Sequence, residues 1–518
     1  MNFEYNRPKG FAGKGDEYLP VIIKDLEKVI FDSVATFQSE ALFMLDEYWQ
    51  DLACVLVEFA EDLHNDIGIW RSLENYHYKF FKTKLPLTPY FKQDENSNPV
   101  NSERIHHLLW VLIPEYKSDL ILSPSHNDLI KLTQRVSIFL KERFSNIPKD
   151  SGIKKFFAQS DKYGWDVKRK LIWLGKHSYL FRDQFYNYLE DREENDRIAI
   201  VDDFVNQQTT SWSGLGVIDI LAATLNISDK QRKELRSWYE RHLSFYKILS
   251  SKDAVIEALN IINDKNYTIR VGDDYSDFFE INEIVFGSLV PWNKEWYWSG
   301  AQKKFHELTQ EQTQQIKKEF IIKSPGVAYR YDASLLKQAK ESLKKHHNNF
   351  VEFKGKDFVI YPNGRSMADD LKKWYQFLFK SVPDNIRKEH RKKYNLPENG
   401  PRMSLPQEII EFENGVGLFY NPDEGQEIML NFNDLISGMK KHGDNLNEIE
   451  EDTIRGFITS DAISPRFVRI VTEEYGSESI AAAFLIRDIQ NEYYLDYLLR
   501  RYKGHYFRNR YPAISLVI

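Results

Sequence analysis

The chain has 518 residues, with 70 Lys and Arg against 77 Asp and Glu for a net charge of −7, and a hydrophobic fraction of 42% that includes 34 Phe, 29 Tyr and 11 Trp. So much apolar and aromatic surface excludes a disordered chain. The acidic balance excludes indiscriminate attraction to nucleic acid or anionic membrane, so any polyanion site must be local.

Residues 1–18, with Gly10, Gly13 and Gly15, predict an extended lead-in. The first ten residues lack the charged-then-apolar order of a signal peptide, and no window approaches the ~18 apolar residues of a spanning helix. The lone Cys54, in Leu52-Ala-Cys-Val-Leu56, reads as a buried inert thiol. Together these features predict a cytoplasmic protein without disulfides and without a membrane.

Helical spacing follows. Ile22, Leu26, Ile30, Val34, Phe37, Ala41, Leu45, Tyr48, Leu52, Val55, Phe59 and Leu63 recur at steps of three or four, giving one long spine or two helices broken around Gln38-Ser-Glu40. A homo-oligomer through this 22–63 stripe is its alternative use. Ser123-Pro124 places a helix start before the run Leu129 to Phe144, and Ser228 with Gln231 forms a capping box opening a helix through Leu235, Trp238, Leu243 and Tyr246. Residues 19–250 thus read as one large helical domain.

Residues 251–325 read as a small aromatic-rich β-barrel-like module with flanking helices. Tyr267 to Val271 and Phe278 to Val290, bent at Gly287, are strand-like, and Trp296-Tyr-Trp298 returns after a turn at Asn293-Lys-Glu295. Alternation puts Trp296 and Trp298 on one face, inside, and leaves Trp292 and Tyr297 as the rings to meet a ligand. Residues 326–391 form a mixed segment, in which helices Ala333 to His346 and Met367 to Phe379 flank a hairpin, Asn349 to Tyr361, turning at Gly355-Lys356. Residues 392–406 are the linker. Residues 407–518 form a C-terminal α+β domain, with a hairpin at Asn414-Gly415, a helix from Ser464-Pro465 to Gly476 and another capped by Ser477 that continues to Arg501. The fold class is α+β and multidomain.

Four patterns bear on chemistry. Arg71 with His77, Arg236 with His242, and Arg500 with His505 have the Arg…His spacing of helical ribonucleases, where the cation polarises phosphate and the imidazole moves a proton. Glu352 and Lys354 form the Glu-x-Lys of a metal-dependent nuclease hairpin, with Asp332 as the upstream acid. Residues 214 to 243 have a helix-turn-helix outline with its turn at Asn226-Ile-Ser228, although Arg232 falls where a recognition helix buries an apolar residue. Arg500, Arg501, Lys503, His505, Arg508 and Arg510 interleave with Tyr502, Tyr506, Phe507 and Tyr511, which suits single-stranded nucleic acid, charge for phosphate and rings for bases. Glycine spacing around Lys14 fails the phosphate-loop pattern and no zinc pattern occurs, so no cofactor and no metal is expected.

Glu61-Asp-Leu, Gly68-Ile-Trp-Arg71, Leu85-Pro86, Leu108-Leu-Trp110 and Ser123-Pro124 lie in a helical layout that resembles an uncharacterised family of cytosolic bacterial proteins. The resemblance covers less than half the chain. It implies a bacterial, cytosolic setting and lends no catalytic residue.

The leading expectation is a non-catalytic multidomain binding protein whose partner is a protein or RNA, contacted through Trp292, Tyr297, Arg500, Arg501, Arg508 and Tyr511. A nuclease using Arg236 and His242, or Glu352 and Lys354, is the alternative. A DNA-binding regulator is the third and requires Arg232, Arg236 and Arg241 to be exposed together.

Overall fold

The computed structural model describes residues 3–37, 46–83, 85, 99–117, 120–190, 192, 196–272, 278–305, 308–323, 329–330, 333–394, 396–397, 405–486 and 491–511. The fold is mixed α and β, with a helical N-terminal region. Two units divide the chain: Met1–Thr313 with Phe484–His505, and Gln314–Ala483 with Tyr506–Ile518.

In the first unit the apolar stripe folds as two helices, α1 (Leu19–Val34) and α2 (Asp46–Asn65). Residues 38–45, around the expected break, lie outside the described residues. Next come α3 (Ile69–Phe81), α4 (Ser102–Tyr116) and α5 (Asn127–Phe144). Ile22, Leu26, Ile30, Leu52, Val55 and Phe59 are all buried within this single chain, because α1 lies against both α2 and α5. Among the described residues the stripe is therefore packed mainly within the chain, its apolar positions on α1 and α2 meeting one another and α5. The lead-in is tied down rather than loose: Arg7 pairs with buried Glu61 at 2.7 Å, and a Cβ on Gly13 would come within 2.1 Å of the Asp150 carbonyl oxygen.

The helical layer is completed by α6 (Gly152–Phe157), α7 (Gly164–His177), α8 (Arg182–Glu190), α9 (Arg197–Gln207), α10 (Val217–Thr224) and α11 (Asp229–Arg236). Ser228 and Gln231 form the capping box of α11, as the sequence predicts. That helix stops at Arg236, however, and does not reach Tyr246. Ser244, Tyr246 and Ile248 are buried alternately on a strand, β1 (His242–Lys252), whose period of two outweighs the helical spacing.

Four further strands join it: β2 (Val255–Asn260), β3 (Lys265–Arg270), β4 (Ile284–Trp292) and β5 (Glu295–Phe305). Their hydrogen-bonded order, β1-β2-β3-β5-β4, closes back on β1. All pairs are antiparallel except β3 with β5, which meet in parallel at Ile269 and Trp296. Tyr246, Ile256, Ile269, Val285 and Leu289 fill the interior. The β4–β5 register shifts beside Gly287, where a Cβ would stand 3.0 Å from the Trp298 ring. Asn293 (φ 50°) and Lys294 (φ 73°) make the left-handed two-residue turn that this hairpin demands.

After α12 (Gln310–Lys323), the second unit comprises α13 (Ala333–Lys354), β6 (Phe358–Tyr361), α14 (Gly364–Ser381), α15 (Asp384–Tyr394), α16 (Gln407–Ile410), β7 (Val416–Asn421), β8 (Gly425–Leu430), α17 (Phe432–Met439), α18 (Glu448–Thr459), α19 (Pro465–Tyr475) and α20 (Glu478–Ala483). Strand β7 lies between β6 and β8 and is buried along its whole length. Val416, Leu418 and Tyr420 face a core shared with Phe350 of α13 and Met367, Leu371 and Trp374 of α14. The alternate residues face the other way: Phe419 lies 5.3 Å from the Phe467 ring of α19, and Gly417 meets the Phe432 ring.

Two hairpins expected in this region are corrected. Residues 349–354 continue α13, because Ala339, Leu343 and Phe350 form one buried helical face. Gly355 (φ 77°) is the left-handed residue that stops the helix, its N–H donating to the Val351 carbonyl at 2.7 Å. Gly415 (φ 74°) leads into β7 from α16, and the hairpin lies further on, between β7 and β8. The helix predicted from Ser464-Pro465 to Gly476 is present as α19 with those caps.

Candidate anion-binding cleft

The tryptophan cluster sits on the closed sheet of the first unit, and alternation sorts its rings. Trp296 and Trp298 are half-buried on the core face, with Trp296 4.6 Å from the His242 ring and 4.8 Å from that of Tyr267. Trp292 and Tyr297, expected to meet a ligand, are instead buried against helices. Trp292 is 0% exposed, and its indole N–H donates to the Asp161 carbonyl at 2.8 Å. Tyr297 lies on Gly164, at whose position a Cβ would be 2.6 Å from the ring, and its hydroxyl donates to Glu295 at 2.9 Å. The outward face of β5 is a docking face for α7, a layer of packing that strand alternation alone does not disclose.

Arg236 and His242 do not share a helix turn. Arg236 ends α11 and bonds the Tyr76 hydroxyl, whereas His242 opens β1, its Nδ1 3.1 Å from the Tyr267 hydroxyl. His77 is buried beside the Thr83 carbonyl, and burial pushes its pKa down to about 4, while Arg71 pairs with Asp66. The helix-turn-helix reading loses its exposed arginine face: Arg232 donates to the carbonyls of Ala222 and Ile227, and Arg241 bridges Asp202 and Asp203. Arg500 lies 3.8 Å over the Phe80 ring, and Arg501 is buried beside Tyr497 and Glu115. These two cations hold the helix Asn491–Tyr502 to its own unit. Arg508 and Tyr511 belong to the other, where Tyr511 stacks on Tyr329.

Glu352 and Lys354 are helical, not on a strand. Lys354 pairs with Asp370, which also accepts from the Tyr361 hydroxyl at 2.5 Å, and Asp332 lies outside the described residues. Among the described residues no group of three or more His, Cys, Asp or Glu is placed to hold a metal ion.

The second unit carries an open cleft of about 760 Å³. One wall is a single face of α13, where Lys340, Leu343, Lys344, His347 and Asn348 recur at helical spacing. The others are the β7–β8 turn (Asn421 to Glu424), the start of α19 (Ser464 to Arg466) and the segment Tyr506 to Arg510. Five Lys or Arg side chains face two carboxylates there, inside a chain that is acidic overall. Glu424 neutralises Arg510, whose Nε donates to it at 2.9 Å; burial works against that guanidinium charge, but Glu424 outweighs it and raises the pKa. Arg466 stands 3.6 Å from Asp423. Lys340 and Lys344 are exposed, and Phe507 is 42% exposed.

Glu427 fixes two of these walls together. Its carboxylate accepts from Asn421 Nδ2 at 2.7 Å and from the Ser464 backbone N–H at 2.8 Å, and burial raises its pKa. Ser464 Oγ then accepts from the Phe467 N–H, capping α19. Behind the cleft, His347 Nε2 lies 3.8 Å from Asp357, and its ring meets that of Tyr420 edge-on at 5.8 Å.

Of the cleft residues, Arg508, Arg510, Tyr506 and Phe507 stand out in the sequence, whereas Lys340, Lys344, His347 and Arg466 do not. The i, i+4, i+7 spacing of Lys340, Lys344 and His347 is a signal that could have found three of them. Nothing local announces the approach of residues 421–424 to 464–466.

The first unit holds a buried ionic core, part of which falls on Glu61-Asp-Leu and Gly68-Ile-Trp-Arg71, segments that carry the family resemblance without disclosing this pairing. Glu58, Glu61, Asp62 and Asn65 follow the inward face of α2. Arg182, fully buried, pairs with Glu58, and Asp62 accepts from the N–H groups of Gly68, Ile69 and Trp70 at the start of α3. Burial raises the Asp62 pKa, against the pull of those donors.

Residues 31–211, which contain this core on α2, match the model of a family described as "Protein of unknown function (DUF3843)". The match agrees with the resemblance to an uncharacterised family. No curated protein and no solved structure matches the chain.

Proposed function

We propose that this protein binds single-stranded RNA in the cation-lined cleft of its second unit. The observation that carries the reading is the concentration of Lys340, Lys344, Arg466, Arg508 and Arg510 around one open cavity in a chain of net charge −7. The rings of Tyr506 and Phe507 on the same rim supply surfaces on which bases stack, each worth about 1–3 kcal/mol. The sequence features that suggest a bacterial, cytoplasmic protein belong to the same reading.

We read the closed sheet of the first unit as a small barrel. Its strand order, with β3 and β5 parallel, is that of the five-stranded Greek-key barrels that bind oligonucleotides elsewhere. Here the outward β2–β3 residues, Val255, Glu257 and Leu259 with Asn266, Thr268 and Arg270, include no ring. That composition supports placing the ligand in the second unit.

Fluorescence anisotropy with a labelled single-stranded RNA of about 20 nucleotides tests the proposal, because such a strand exceeds the usual site size. Replacing Lys340, Lys344 and Arg466 together by Ala should weaken binding and flatten its salt dependence by about 0.7 in log–log slope for each phosphate that is no longer neutralised. Unchanged affinity and slope in that variant overturn the proposal. Absence of any RNA binding, with a protein recovered instead on the same cleft, transfers the cleft to a protein partner.

A further inference from the structure

We propose that the cleft also cleaves the RNA it binds, with His347 as general base and Lys344 as general acid of a metal-independent transesterification. The inference rests on the RNA reading of the cleft. His347 and Lys344 stand three residues apart on α13 and line the same cavity. The imidazole is held between the Asp357 carboxylate and the Tyr420 ring, with Nε2 buried on the Asp357 side. The residue itself lines the cavity. A separation of 3.8 Å to Asp357 exceeds a hydrogen bond, and such distances tighten when substrate closes the site. The arrangement is that of a base oriented by a carboxylate behind it, facing a space that attracts phosphate.

In the step, His347 takes the proton of a ribose 2′-hydroxyl and the 2′-oxygen attacks the adjacent phosphorus. The P–O5′ bond breaks as the P–O2′ bond forms, and the 5′-oxygen leaves with a proton from the Lys344 ammonium. The products are a 2′,3′-cyclic phosphate end and a 5′-hydroxyl end. The proton on His347 returns to Lys344 through water, so no oxidant, reductant or metal ion is consumed. Arg466 and Arg508 supply positive charge for the phosphorane oxygens. Asp357 is a positioning residue acting through His347. DNA lacks the attacking hydroxyl and is not cut.

The experiment incubates the full-length protein in EDTA with a 5′-fluorescein-labelled single-stranded RNA and with the all-deoxy strand of the same sequence. Affinity is followed by anisotropy and the RNA ends by mass spectrometry. The expected result is cleavage of RNA alone, leaving 2′,3′-cyclic phosphate ends. In His347→Ala and His347→Gln, both checked by circular dichroism, kcat should fall roughly 10²- to 10⁴-fold, the usual contribution of general acid–base catalysis, far beyond any change in affinity. Asp357→Asn should shift the acid limb of the pH–rate profile as well as lower kcat, which a merely structural role would not do. RNA that binds but stays intact overturns this inference and leaves the binding proposal standing, as does cleavage undiminished in both His347 variants. Failure of the wild-type protein to bind RNA overturns the binding proposal, and this one with it.

Discussion

Trp292→Phe separates a core ring from a ligand-contacting one. In the structure Trp292 is 0% exposed, meets the Trp238 ring edge-on at 6.0 Å, and donates its indole N–H to the Asp161 carbonyl at 2.8 Å. A phenyl ring keeps most of the apolar packing but removes the donor and part of the ring volume. Leaving a buried carbonyl unpaired costs about 1–3 kcal/mol. The partial cavity adds a fraction of the ~3–5 kcal/mol typical of deleting a whole aromatic side chain, so the total is about 2–4 kcal/mol. Guanidinium unfolding followed by circular dichroism measures this loss, with RNA anisotropy run in parallel. The expected pattern is a lower unfolding midpoint with RNA affinity unchanged. An unchanged midpoint with weakened RNA binding would refute the assignment of Trp292 to the core.

Three further outcomes follow from the same geometry. Gly164→Ala should cost about 1–3 kcal/mol by overpacking, since its Cβ would sit 2.6 Å from the Tyr297 ring; a neutral thermal melt would contradict the close approach of α7 to β5. Asp202 joins Lys168, Arg241 and Ser299. Burial alone would raise its pKa, but these partners outweigh burial and hold it below the ordinary carboxylate value. Its stabilising contribution is therefore present above pH ~4 and is lost as pH falls through the lower folded value, so Asp202→Asn should flatten the acid limb of stability against pH. His77, His106 and His177 are each pushed down to about 4 by burial, so on acidification from pH ~6.5 the unfolded chain takes up protons first. Stability should then fall between pH ~6.5 and about 4, and acid titration of unfolding that shows no loss in this window would contradict their burial as neutral rings.

What is legible in the sequence follows from range. The capping box at Ser228 and Gln231 and the start of α19 at Ser464-Pro465 depend on a few adjacent residues and are present, and the turn expected at Asn293-Lys-Glu295 forms one residue shorter, with Glu295 already in β5. Gly355 is recognisable as punctuation but not as a helix stop, because a left-handed glycine serves a helix end as readily as a hairpin turn. Strand alternation places Trp296 and Trp298 on the core face correctly. It cannot show that the opposite face of β5 is covered by α7, so Tyr297 reads as a wet ring when it is a buried one. The cleft is half legible: its C-terminal cations form a local run, whereas Lys340, Lys344, Arg466 and the carboxylate of Glu427 that joins two walls converge only through the folding of β7 between two helical layers. Arg500 and Arg501 belong to that local run in sequence yet act in the first unit, where they dock the helix Asn491–Tyr502.

The site of RNA binding is the central claim, and photocrosslinking with a 4-thiouridine-substituted single-stranded RNA, mapped by mass spectrometry on the full chain, tests it most directly. Adducts should appear on peptides containing residues 340–348 and 506–510, which line the cleft. Adducts confined to the first unit, on peptides around Trp296 and Trp298 or around Arg500, would contradict it.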